Sequence, residues 1–268
     1  MKTNNVGRVA SAGDLFDFAK RIGTQWQTRG PIWYRGHTVE SWKLRPKVYR
    51  YPEYTKSLET NLGVEFLRRA PTRSDALPRH NDSFGWLHLM QHYGAPTRLL
   101  DWTASILIAA FFAVEDRDRD GNPGVIWALH PAQLNLHLLG LGPLIAAPTN
   151  PVVAKLADNA FDPGMLNRDE PHVAAVYPIE TDNRMLMQQA TCTIHAGAEP
   201  LEEWTSCGSW LASISIAPDC RPTLREQLSL VGITRATLFP DLPTLADEIS
   251  SPEFIAKYGP AIEPYART

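Results

Sequence analysis

Gln91-His92-Tyr93-Gly94-Ala95-Pro96-Thr97-Arg98-Leu99-Leu100-Asp101-Trp102-Thr103 is a dense polar run set inside an apolar frame. Ahead of it a helix starts near Asn81 or Asp82 and reaches Tyr93, where Gly94 supplies the stop. Behind it, Ala104 to Val114 is apolar enough for a buried helix, yet only about half the ~20 residues that a membrane span requires. The connection itself is too polar and Pro-marked for helix, and Thr103 is placed to cap the helix that follows. Arg98 and Asp101 are thereby drawn toward the core, where an unpaired charge is costly. Two readings of them stay open: a structural Arg98–Asp101 pair, or a loop that lines a pocket, since functional groups concentrate on loops held by rigid elements.

Outward from that run, helices and strands follow one another without the regular alternation of βαβ units. Ser11 caps a helix with Leu15, Phe18, Ile22 and Trp26 on one stripe. Ile32 to Gly36 reads as a short strand, and Glu53 to Ala70 as a helix with Leu58, Leu62 and Phe66 along its buried side. Gly121-Asn122-Pro123-Gly124 is a turn, with a strand from Val125 to Leu129 after it. The second half is less regular. Val173 to Tyr177, Thr191 to His195 and Leu211 to Ile216 have strand character, Pro222 to Val231 is helical, and Thr244 to Tyr258 forms a broken terminal helix. The expectation is one α+β domain over residues 1–268, with its core at about 14–250.

Bulk properties limit the function classes. The chain has 268 residues, 44% hydrophobic and 21% charged, enough to build a core without disulfides or metal. A formal charge of -3 argues against a strongly basic nucleic-acid binder, although local basic patches remain compatible with it. The three scattered cysteines, Cys192, Cys207 and Cys220, read as reduced thiols. The N-terminal residues carry no apolar run of signal-peptide length, so a cytoplasmic protein without membrane association is expected.

Arg35 closes an apolar strand and precedes Gly36 and His37. Such an arginine can present its planar fork to phosphate or carboxylate, with the glycine permitting close backbone approach. His88 and His92 stand i, i+4 on one helix face, a metal-compatible spacing, but no third ligand is near and no metal is expected. There is no GxSxG, P-loop or GxGxxG, so ordinary hydrolase, NTPase and dinucleotide-fold readings lose support. Trp33, Trp86, Trp102, Trp127 and Trp210 are read as core.

Four stretches together carry a family resemblance. Tyr34-Arg35-Gly36-His37, followed by Trp42, Leu44 and Pro46, resembles the opening motif of the FRG domain family. The run Gln91 to Thr103 with Ala109-Ala110-Phe111-Phe112-Ala113 is similar to its central signature. Arg184-Met185-Leu186-Met187-Gln188-Gln189-Ala190 with Thr193-Ile194-His195, and Leu238-Phe239-Pro240-Asp241-Leu242, match its later parts.

The family's layout in turn resembles ADP-ribosyltransferases: an early-strand arginine, a hydroxyl-bearing middle segment and a late acidic or amide residue. That likeness implies a mixed central sheet flanked by helices, NAD as substrate, and a place in bacterial toxin–antitoxin or phage-defence systems. It also implies a protein or nucleic-acid acceptor and an antitoxin or defence partner.

By the same resemblance Arg35, His92, Asp101, Thr103 and Gln188 are the catalytic candidates, and Arg35, Gly36, Gln91, Thr97 and Arg98 the NAD-binding ones. Asp101 would fix Arg98, and His92 would orient a ribose hydroxyl or act as acid–base. Gln188 stands where the transferases mostly carry glutamate; a glutamine can hydrogen-bond the ribose but cannot act as a base. The alternative is a nucleotide- or nucleic-acid-binding module without turnover. Nucleic-acid hydrolysis by His92 and Asp101 is disfavoured by the lack of a metal-binding carboxylate cluster.

Overall fold

The computed structural model describes residues 4–28, 30–140, 144–162, 164 and 173–258. The apolar run after the polar segment forms a buried helix, α4 (Ile106–Val114), which lies across strand β2 (Trp33–His37). Gly36 makes this crossing possible. A Cβ added there would overlap the Ala109 carbonyl oxygen and sit 2.7 Å from the Ala113 nitrogen. The expectation that Gly36 clears space for a ligand is therefore corrected: the space is taken by the backbone of α4.

The remaining strands are β1 (Asn4–Val9), β3 (Leu99–Thr103), β4 (Gly124–Leu129), β5 (Val173–Val176), β6 (Ala190–His195) and β7 (Leu211–Ile216). They form one seven-stranded sheet in the order β1-β7-β4-β2-β3-β6-β5. β1 runs parallel to β7 and every other pairing is antiparallel, so the fold is α+β with a mixed sheet.

Most joins are long: β2 holds five residues in register with β4, and β3 five with β6. β2 and β3 meet at one pair only, Tyr34↔Thr103, and open beyond it. The sheet thus consists of two well-registered parts joined at a narrow seam.

Helices cover both faces. On one side α1 (Ala12–Gln25), α4 and α8 (Arg221–Leu230) bury Leu15, Phe18, Ile22, Leu224 and Leu228 against Tyr34, Ile126 and Ile214. α3 (Ser83–His92) and α6 (Pro151–Phe161) extend that layer over Leu99, Ala174 and Ile194. On the other side α5 (Pro131–Leu139) and the segment 201–210 enclose the five strand residues Trp33, Leu100, Trp102, Trp127 and Leu129. The five tryptophans read as core are all buried.

Two further corrections concern the polar run. Leu99 to Thr103 is a strand, because Leu99 packs on one face of the sheet while Leu100 and Trp102 pack on the other. The helix that follows is capped by Ser105, whose hydroxyl accepts from the Ile108 N–H, and not by Thr103. β1, α5, α6 and α7 (Asn183–Met187) were not legible in the sequence. No described helix is long and apolar enough to cross a membrane.

Arg98 is a heavily partnered buried group. It pairs with Glu59 through Nε (2.7 Å) and Nη2 (2.6 Å), and its Nη1 donates to the Leu156 carbonyl (2.8 Å) and Asn159 Oδ1 (3.2 Å). The expected Arg98–Asp101 pair does not form. Alternation along β3 turns Asp101 away, and Glu59 reaches Arg98 from α2 (Lys56–Arg69). The stripe Leu58, Leu62 and Phe66 is accordingly only half-buried, and the buried positions of α2 are Glu59 and Gly63.

Removing one partner of a buried pair leaves an uncompensated charge. Glu59→Ala is expected to cost about 3–5 kcal/mol of unfolding free energy. Gly36→Ala is expected to cost about 3 kcal/mol or to prevent folding, because backbone cannot yield as a flexible side chain can. Denaturant titration followed by tryptophan fluorescence measures both.

Candidate functional site

The seam between β2 and β3 is where the sequence candidates gather. Arg35 is half-buried on β2, and its Nη1 donates to the Asp101 carbonyl at 2.6 Å, bridging the gap that the ladder leaves open. Its Nε donates to His37 Nε2 at 2.9 Å. That bond fixes the tautomer: His37 carries its proton on Nδ1 and donates to the Trp42 carbonyl (3.2 Å). His37 is buried, and desolvation, aided by the Arg35 charge, pushes its pKa down to about 2.

Beyond Arg35 the segment 42–50 roofs the seam. The Val48 N–H donates to the Thr97 carbonyl (3.2 Å), and the Tyr49 hydroxyl to the His195 carbonyl (3.0 Å). It brings Arg45 and Arg50 alongside. Burial pulls Arg35 down to about 10, with Asp101 opposing and Arg50 adding to the shift. Arg50 is likewise lowered, by burial first and then by Arg45, against the pull of Asp101. Arg45 Nε is buried without a hydrogen-bond partner, and Arg50 Nε donates to the Arg45 carbonyl (2.8 Å). Arg35 and Arg50 are thus within electrostatic reach of each other and of Asp101, and Arg45 is within reach of Arg50.

Asp101 is exposed, and its carboxylate accepts from Gln91 Nε2 at 2.9 Å; Gln91 Oε1 in turn accepts from the Thr97 hydroxyl. Gln91, Thr97, Asp101 and Arg35 thus form one connected chain of polar contacts. By alternation the Arg35 and Asp101 side chains lie on opposite faces of the sheet, and they communicate through the open seam.

The other candidates lie elsewhere. The Thr103 hydroxyl donates to the Gln188 carbonyl (2.8 Å) and accepts from the Ser105 N–H (3.1 Å), ties that hold the strand end in place. Gln188 Nε2 donates to the Leu238 carbonyl (3.0 Å), near the end of α9 (Arg235–Leu238), so its amide is turned from the seam. His92, the residue after Gln91 on α3, has its Nδ1 3.0 Å from Asp182 Oδ2. Arg98 is sealed in the interior as described above. Among the described residues there is no group of three or more His, Cys, Asp or Glu able to hold a metal.

The FRG domain family matches residues 30–122, which hold Arg35, Gly36, Glu59, Gln91, Thr97, Arg98, Asp101 and Thr103. About a third of the chain is thus similar to the FRG domain. The match is narrower than the expected 14–250, and the later motifs around Gln188 and Leu238 fall outside it. No curated protein and no solved structure matches the chain.

Within the matched residues, sequence reasoning passed over Arg45, Arg50 and Glu59. Three cations among six residues, Arg45, Lys47 and Arg50, were a visible signal for the first two. Nothing local marks Glu59, which sits among the polar residues of its helix.

A second buried histidine lies on the same face as His37. Trp102 Nε1 donates to the Thr193 hydroxyl (3.1 Å), which leaves that hydroxyl to donate to His195 Nε2 (2.8 Å). Burial and the charges of Arg35 and Arg98 push His195 down to about 3. Both histidines are neutral in the folded state, whereas an unfolded histidine titrates near about 6.5. The unfolded chain therefore binds more protons below that value, and stability falls as pH drops. The expected slope is about 1.4 kcal/mol per pH unit for each histidine between pH ~6.5 and ~5. Unfolding titrations across that window should show it, and His37→Gln should remove one histidine's share.

Proposed function

We propose that the seam binds the pyrophosphate of NAD and that the protein transfers the ADP-ribosyl group to an acceptor. What supports this reading is that Arg35, bonded to the Asp101 carbonyl at the seam, lies within electrostatic reach of Arg50, and that the neighbouring Arg45 Nε is buried without a hydrogen-bond partner. Like charges at that spacing repel, and a bound anion relieves the repulsion. Guanidinium forks suit phosphate oxygens because two parallel N–H groups meet two acceptors.

Cleavage of the nicotinamide–ribose bond passes through an oxocarbenium-like state. Asp101 is the carboxylate at hand for that developing positive charge, and Gln91 holds it in one orientation. Arg35 binds and orients, and the buried neutral His37 holds Arg35 from behind. A toxin or phage-defence role in the bacterial cytoplasm, with an antitoxin or defence partner, belongs to the same reading through the family resemblance.

A second reading, nucleotide binding without turnover, draws on a specific observation. The Gln188 amide is engaged by the Leu238 carbonyl, so the late polar residue of the transferase pattern does not face the seam.

Calorimetry with NAD and an assay for released nicotinamide separate the two readings. Heat of binding with nicotinamide release supports transfer, whereas binding without release assigns the nucleotide-binding alternative. Arg35→Ala is expected to weaken NAD about 10- to 100-fold, the loss of one charge-assisted contact of about 1.5–3 kcal/mol. Arg50→Ala, at an exposed position, should weaken it less. Absence of NAD binding by the wild-type protein would remove the proposal.

A further inference from the structure

A cleft of about 510 Å³ opens beside the seam, on the far side of α3. Its walls include Leu77, Phe84, Leu89 and Ile179, and its polar positions include Asp75, Asp82 and Asp182. No lysine or arginine is among its described lining residues. The charge is thus opposite in sign to that of Arg35 and Arg50 at the seam.

The two regions adjoin through α3. His88 and His92 line the cleft, while Gln91, on the same helix, holds Asp101. His88 is shifted downward by burial, with both Asp101 and Asp182 within electrostatic reach to oppose the shift. It is therefore uncharged at neutral pH and adds no positive charge to the cleft.

We infer that this cleft receives the acceptor, and that the acceptor is a cationic polypeptide side chain, arginine or lysine, rather than a nucleic acid. The inference rests on the NAD reading above for its transfer step, and on the cleft alone for its binding step. A long basic side chain lays an aliphatic stem on apolar walls and carries its charge to a carboxylate, which this lining provides. A phosphate backbone would meet three aspartates and, among the described lining residues, no lysine or arginine.

Asp182 Oδ1 caps α7 at the Met185 N–H (3.0 Å) and its Oδ2 faces His92, while Asp82 Oδ1 caps α3 at Gly85 (2.8 Å). Both carboxylates are held in place by these contacts and line the cleft. In the transfer, the acceptor nitrogen bonds to C1′ of the nicotinamide-bearing ribose. The C1′–nicotinamide bond breaks, nicotinamide leaves neutral with the electron pair, and one proton passes from the acceptor nitrogen to solvent.

The test is fluorescence anisotropy with a short labelled arginine-rich peptide, the same peptide with glutamate in place of arginine, and a labelled single-stranded RNA. NAD affinity is measured separately by calorimetry on the same preparations. The expected result is binding of the arginine-rich peptide alone, weakened at least about tenfold by Asp75→Lys and by Asp182→Asn, with NAD affinity unchanged. Asp75 is exposed at the rim, so its reversal leaves the core intact, and asparagine at 182 retains an oxygen for the cap. Failure of the arginine-rich peptide to bind, indifference of its binding to both variants, or preferential binding of the RNA would each overturn the inference. Loss of NAD binding with peptide binding retained would instead remove the nucleotide reading and leave the cleft assignment standing.

Discussion

Arg98 is enclosed by Glu59, the Leu156 carbonyl and Asn159, with 1% of its surface exposed. A guanidinium so deep in the protein is tolerated only if its charge is matched and its N–H groups are met. That requirement binds three elements, α2, α6 and the start of β3, to one point. It also sets where β3 begins, and hence where β3 parts from β2.

Gly36 imposes a second constraint from the other side of the seam. Because it carries no side chain, α4 can rest directly on β2, and the face of β2 bearing Tyr34 and Gly36 is fully occupied by the helix. Arg35 and His37, by the alternation of the strand, must turn to the opposite face. There the roof segment 42–50 meets them, with Arg50 within electrostatic reach of Arg35. The arrangement concentrates positive charge at an opening in the sheet while the chain as a whole carries a formal charge of -3. Acidic residues gather instead beyond α3, around Asp182, so that the two sides of one helix face differ in sign.

Several neutral polar groups extend this picture into the core. Trp102, Thr193 and His195 form a buried relay on the same face as Arg35, and the Nε1 atoms of Trp33 and Trp127 and the Thr191 hydroxyl are buried there without hydrogen-bond partners. Burial and the nearby arginine charges keep His195 and His37 neutral and make the protein's stability sensitive to mild acid. The site and the core are therefore coupled through the histidines as well as through the backbone.

The sequence by itself determined what depends on local pattern and short spacing. The helix capped by Ser11, the helix stopped at Gly94, the buried helix after Thr103, the turn at Gly121 to Gly124 and the strand Leu211 to Ile216 are all fixed by periodicity, caps and glycines acting within a few residues. Composition also marks out Arg35 and the Gln91–Thr103 run as candidates. What only the tertiary structure decided were the partners: Glu59 for Arg98, Gln91 for Asp101, α4 for Gly36, Leu238 for Gln188, and the approach of Arg50 to Arg35. These pairings join residues distant in the chain, or choose among several chemically equivalent ones. The choice is made by the cost of burying an unmatched charge and by the geometry of the seam, neither of which is written in any local stretch of sequence.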